Sequence, residues 1–321
     1  MTFPATRLRR LRTTPAIRDM VRETRVTAHD LIMPVFAPAA PDTNQPLPQI
    51  HGMRLLSGAP LAAEAREIQA LGIPAVLVFG MPNKTARNDA ASAAHAADGP
   101  IQDAVRTLKR AAPGLTVITD LCLCEFTDHG HCGLLRGDRI DNDATLACLQ
   151  RAAVSHAEAG ADVIAPSGMM DGVVRSLRQA LDDAGHTHVL TMPYSAKFAS
   201  GFYGPFKSAT DSIPGESRHA THQLDPANAD QALHEIELDI GEGADIIMVK
   251  PALPSLDILR AARERFPAPL AAYQVSGVYN MLWQAAEGED RHRLMSEILT
   301  CIKRAGADMI VTYYAKQAAS R

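Results

Sequence analysis

Eight short, unbroken apolar runs recur along this chain, and longer stretches with helical spacing lie between them. The runs are "LIMPVF" (31–36), "PAVLVF" (74–79), "LTVITD" (115–120), "DVIAP" (162–166), "HVLTMP" (188–193), "DIIMVK" (245–250), "PLAAYQ" (269–274) and "DMIVTYY" (308–314). Strands with one wet face alternate apolar and polar residues, whereas continuous runs mark strands buried on both faces, as in parallel sheets. The segments "LAAEAREIQALG", "ATLACLQRAAVSHAEAG", "DQALHEIELDIGEG" and "EILTCIKRAG" space their apolar residues as helices do and end on glycine, the usual stop. Three joints echo one another, "AGADVIAP", "EGADIIMV" and "AGADMIVT". The pattern predicts an α/β fold, a (β/α)8 TIM barrel over residues 31–321, with residues 1–30 as an N-terminal extended arm for oligomer contacts. A doubly wound open sheet is the alternative, but no Gly-x-Gly-x-x-Gly follows the first strand to favour a dinucleotide.

Composition narrows the function. A net charge of −4 argues against a general nucleic-acid or membrane-surface binder, and no stretch has the run of apolar residues that a membrane helix needs. The basic cluster "RLRRLR" lacks the apolar core and cleavage site of a signal peptide and reads as a surface arm. Five cysteines are an odd number, three of them too crowded for a disulfide framework, so a reducing, cytoplasmic location is expected.

In a barrel of this kind the active site lies at the C-terminal ends of the strands. Those ends carry Asp120, Ser167, Lys197, Lys250, Tyr273, Ser276 and Tyr313. A lysine that closes an apolar strand is costly to bury. Two on adjacent strands disfavour each other's charge, lowering each pKa towards the free amine that attacks a ketone. Schiff-base chemistry is the expectation. "DLCLCEFTDHGHCG" places Cys122, Cys124 and Cys132 together. On an extended chain the first two point to one side, and a turn through Gly130 returns the third. Three thiolates suit zinc, with His129, His131 or water as the fourth ligand. Cys148 and Cys301 sit in helical patterns and read as core. "SGFYGPFK" (200–207), with Tyr203 and Lys207, reads as a lid, and Arg218 and Gln223 lie in a stretch suited to a carboxylate.

These segments, with "APSGMMDG", "YSAKFASGFYGPF", "GADIIMVKPALPSLDI", "AAYQVSG" and "RAGADMIVTYYA", resemble porphobilinogen synthase, the 5-aminolevulinate dehydratase family, from about Arg10 onwards. The resemblance implies a homo-octameric, haem-pathway lyase that joins two 5-aminolevulinates. It implies a first-substrate Schiff base on Lys250, the second substrate on Lys197, and catalytic zinc on Cys122, Cys124 and Cys132. It further implies polar groups at Asp120 and Ser167, the first carboxylate at Ser276 and Tyr313 beside Tyr273, and the second at Lys207, Arg218 and Gln223, with Tyr203 in the lid. Glu235 falls where some members bind an allosteric magnesium. Lys207 departs from the family's usual arginine, Val278 from its glutamate and Ser255 from its tyrosine. The rival readings are a class I aldolase-type barrel with a structural zinc, and a zinc-stabilised scaffold.

Overall fold

The computed structural model describes residues 2–211 and 221–320. Its strands are β1 Leu31–Pro38, β2 Ala75–Met81, β3 Thr116–Leu121, β4 Val163–Pro166, β5 Leu190–Thr191, β6 Ala196–Lys197, β7 Ile247–Lys250, β8 Leu270–Gln274 and β9 Met309–Thr312. They pair in parallel in the order β6-β7-β8-β9-β1-β2-β3-β4-β5, a curled sheet with helices between its strands. Residues 31–37 of β1 are all buried, and so is every residue of β4, β7 and β8, as their continuous hydrophobicity requires.

The fifth run behaves differently from the others. It yields only β5, paired with β4; β6, paired with β7, comes after it, beyond Pro193, which has no N–H to donate. Its neighbours still bond to both sides. Met192 and Tyr194 donate to Ile164 and Pro166, and the Pro193 carbonyl accepts from Met248. The two ends of the strand order are thus one stretch of chain, 190–197.

The repeated Gly-Ala-Asp joints have a structural cause. Gly160 and Gly243, both at φ 105°, take the left-handed turn that ends each preceding helix. The aspartate that follows accepts a hydrogen bond from the backbone of the neighbouring strand. Asp162 takes the Val117 N–H at 2.7 Å, Asp245 the Thr191 N–H at 2.8 Å, and Asp308 the Leu270 N–H at 2.8 Å. The echo in the sequence is a stitch at the N-terminal end of the sheet, opposite the strand ends that carry the chemistry.

The helices cover the sheet with one apolar stripe each. In Pro100–Ala111, Ile101, Ala104, Val105 and Leu108 are buried at helical spacing. Cys148 is fully buried, as expected, while Cys301 is only partly so. Before β1, the short helices Leu8–Arg12 and Pro15–Met20 bury no residue, and Phe3, Leu8 and Met20 are largely exposed. Among the described residues no helix is long and apolar enough to cross a membrane.

Candidate active site

The C-terminal strand ends converge on one pocket. Lys197, Lys250, Tyr203, Lys207, Gln223, Tyr273, Ser276 and Tyr313 line it, together with Cys124 and Cys132. Asp120 and Ser167 are buried beside the lysines, with the Ser167 hydroxyl donating to Asp120 Oδ2 at 3.1 Å. The residues expected in the pocket are therefore brought together, apart from Arg218. Arg218 lies outside the described residues. Glu235, on the helix Ala229–Glu242, lines a separate cavity with Asp171 and His131, and Gln223 borders both spaces.

Lys250 ends β7 inside a box of aromatic rings. Its Nζ lies 4.2 Å from the ring centre of Tyr273, 4.9 Å from Tyr194, and 5.3 Å from both Tyr203 and Phe206. Ring faces favour an ammonium, but burial disfavours it more, and the Lys197 cation adds to the effect. The Lys250 pKa falls to about 7. Lys197 responds in the opposite sense. Burial pulls its pKa down, yet Cys132 and Cys122, when ionised, and Asp120 outweigh burial and raise it. Its Nζ donates to the Ser167 carbonyl at 2.5 Å. The expectation that each lysine lowers the other thus holds for Lys250 alone. The environments drive the pair apart, which assigns them different protonation states near neutrality.

The three cysteines form a compact cluster, with their Sγ atoms all within 4.8 Å of one another. Its geometry differs from the extended reading. After Cys122 the chain turns, with Phe126 and Thr127 both donating to the Leu123 carbonyl, and the turn sets the Cys122 and Cys124 sulfurs 3.2 Å apart. Gly130, at φ 71°, then returns Cys132 to them. Hydrogen bonding to Cys122 and Cys132, followed by burial, pushes the Cys124 thiol well above its usual range. A packed, buried set of soft donors with no charge to balance it fits a divalent, thiophilic ion such as zinc. Neither histidine joins the set, which among the described residues is the one group able to hold a metal. His129 instead accepts the His131 N–H at Nδ1.

Several hydroxyls expected to face a substrate are already engaged. Tyr203 donates to the Phe198 carbonyl at 2.7 Å, so its ring rather than its hydroxyl shapes the pocket. Ser276 Oγ accepts the Phe206 N–H at 3.0 Å, and the Tyr273 and Tyr313 hydroxyls pair at 3.1 Å. Gly277 lies under the lid. A side-chain carbon there would sit 2.4 Å from the Phe202 carbonyl oxygen, so only glycine lets the two backbones approach.

Sequence reasoning overlooked three residues. Tyr194 and Phe206 wall in the Lys250 amine. Both lie in quoted segments, but nothing in their spacing says which way the rings turn. Glu125 is buried against Cys124 at 3.1 Å, and burial, then Asp120, raise its pKa to about 7. A carboxyl directly after the second cysteine was the available signal.

Parallel strands, helices between them and a site at the strands' C-terminal ends define an α/β enzyme. The chain matches the family profile of delta-aminolevulinic acid dehydratase over residues 5–321, and it belongs to that family, a family of lyases. It is 47% identical to the delta-aminolevulinic acid dehydratase of Methanothermus sociabilis over 318 residues, covering 99% of this chain and 98% of that one. Identity to the Synechococcus elongatus enzyme is 49% over 323 residues, with 99% and 98% covered. The fold superposes with a TM-score of 0.95 on the crystal structure of delta-aminolevulinic acid dehydratase (porphobilinogen synthase) from Toxoplasma gondii in complex with its reaction product porphobilinogen. That protein is 39% identical, and the match covers 98% of this chain and 91% of that one.

Proposed function

We propose that the chain acts as its family's name states, as a porphobilinogen synthase that condenses two 5-aminolevulinates to porphobilinogen with loss of two waters, in tetrapyrrole biosynthesis. The observation that carries the reading is the Lys250 amine, buried among aromatic rings beside a second lysine and with its pKa near 7. A free amine there attacks the ketone carbon of the first substrate. The carbonyl oxygen leaves as water, and a Schiff base forms. Lys197 starts as the ammonium and serves the second substrate after it loses its proton to a neighbouring base. Its higher pKa supports this order. Asp120, whose carboxyl feels the charge of both lysines, takes or returns protons.

Ser276 and Tyr313 hold the first carboxylate, and Lys207, Gln223 and Arg218 the second. Zinc on Cys122, Cys124 and Cys132 supplies Lewis-acid chemistry to the second substrate when bound. Glu235, away from the pocket, would hold an allosteric magnesium. Residues 31–321 form the closed (β/α)8 barrel. The arm of residues 1–30 makes the contacts of a homo-octamer, a role supported by its exposed apolar side chains. The enzyme works in the cytoplasm. The test is direct: purified protein given 5-aminolevulinate forms a pyrrole, and an aldolase-type barrel forms none.

A further inference from the structure

The helix Gly204–Thr210 carries Phe206 and Lys207 over the pocket, and it is held at both ends by side chains from other elements. Near its start, the Phe206 N–H is bound by Ser276. At its end, the carbonyls of Thr210 and Asp211 accept from a side chain of another loop. Arg87, from the loop after β2, reaches these carbonyls. Its Nη1 donates to the Asp211 carbonyl at 3.1 Å and its Nη2 to the Thr210 carbonyl at 3.2 Å. A guanidinium fork matches two neighbouring oxygens, and its charge suits a helix C-terminus. The Arg87 side chain is only 11% exposed, which distinguishes it from the open Lys84–Asp211 pair alongside, 79% and 53% exposed. The next residue in the loop, Asn88, donates its N–H to the Phe126 carbonyl, within the turn that carries the cysteines. Phe79, near the end of β2, packs its ring edgewise on Phe206 at 5.0 Å.

The geometry points to Arg87 as a positioning residue for the reaction. It locks the helix that presents Phe206 and Lys207, and its loop ties that helix to the cysteine turn. This deepens the synthase reading and rests on it, since Lys207 matters through the second substrate's carboxylate. Loss of Arg87 should act chiefly on the second binding event through Lys207, and less on the first, where Phe206 is one of four rings around Lys250.

The test compares Arg87→Ala, Arg87→Lys and Lys84→Ala as full-length proteins. Arg87→Ala is expected to raise the KM for 5-aminolevulinate about tenfold, the size expected for a lost charge-assisted hydrogen bond, with kcat nearly unchanged. Borohydride trapping of substrate on Lys250 should change less than the KM. Amide hydrogen exchange across 204–211 should quicken by a similar factor. Arg87→Lys keeps the charge without the fork and should fall between wild type and Arg87→Ala. Lys84→Ala should match the wild type in all three measurements. A wild-type KM in Arg87→Ala overturns the proposal, as does unchanged exchange across the helix. If Arg87→Ala does not fold, wild-type KM and exchange in Arg87→Lys overturn it instead. If the wild type itself forms no pyrrole, the synthase reading fails, and the exchange comparison still decides whether Arg87 locks the helix.

Discussion

Lys197 and Lys250 are register partners across the parallel pair β6 and β7, so their side chains leave the sheet on the same face. The arrangement puts one cation beside another in a buried site. Its consequence is unequal, because Lys197 also faces the ionisable cysteine cluster and Asp120, while Lys250 faces rings.

The first prediction follows from this pairing. The fraction of free amine at Lys250 rises as pH increases through about 7, so the rate of substrate trapping there should rise over the same range. Lys197→Met removes a neighbouring positive charge that lowers the Lys250 pKa. The midpoint of the trapping profile should therefore move to higher pH. An unmoved midpoint would show that burial alone sets it.

His156 supplies a stability prediction. It is fully buried behind β3, with Nδ1 3.0 Å from Thr119 Oγ1, and burial lowers its pKa from 6.5 to about 4. Above pH 6.5 neither the folded nor the unfolded state is protonated there, and the folded state suffers no penalty. Between 6.5 and 4 the unfolded chain gains a proton that the folded one refuses, so stability is lost as pH falls, up to about 3 kcal/mol. Denaturant unfolding of His156→Gln should lack this part of the pH slope. An identical slope in the variant would remove His156 from the account.

The Gly-Ala-Asp stitch should matter for folding and not for chemistry. Asp162→Ala leaves the Val117 N–H without its 2.7 Å acceptor and Lys109 without its ion pair. A loss of about 1–3 kcal/mol is expected from unfolding titrations, with kcat unchanged. A fall in kcat at full folding would mean that the far end of the sheet communicates with the pocket.

Much of this was legible beforehand, for identifiable reasons. Seven of the eight runs became single strands because burial on both faces leaves a one-dimensional signature. The fifth gave only the short strand β5 and stopped before β6, and whether a proline interrupts a strand or sits at its edge depends on partners that sequence does not name. Both lysines stood out as misplaced charges. The sign of the Lys197 shift did not, because it depends on how close three sulfurs and a carboxylate come in space. The cysteines were found by spacing, but the turn at Leu123 and the exclusion of both histidines depend on backbone hydrogen bonds. Arg87 and Thr210 are 123 residues apart, and nothing local marks either as the other's partner.

Removing the metal should remove the reaction while the fold persists. Chelation or Cys124→Ala is expected to release close to one zinc per active subunit and to abolish most pyrrole formation. Zinc, and not magnesium alone, should restore the chelated wild type. Full activity in protein shown by elemental analysis to be metal-free would make the cluster structural.

The central claim is that the Lys250 amine binds the first substrate covalently, and reductive trapping tests it most directly. Borohydride added to enzyme with 5-aminolevulinate should leave one substrate-derived adduct, mapped by peptide mass spectrometry to Lys250 ahead of Lys197. Lys250→Met should fold, lose that adduct and form no pyrrole. A trapped adduct that maps only to Lys197, or a Lys250→Met enzyme with wild-type turnover, would contradict the account.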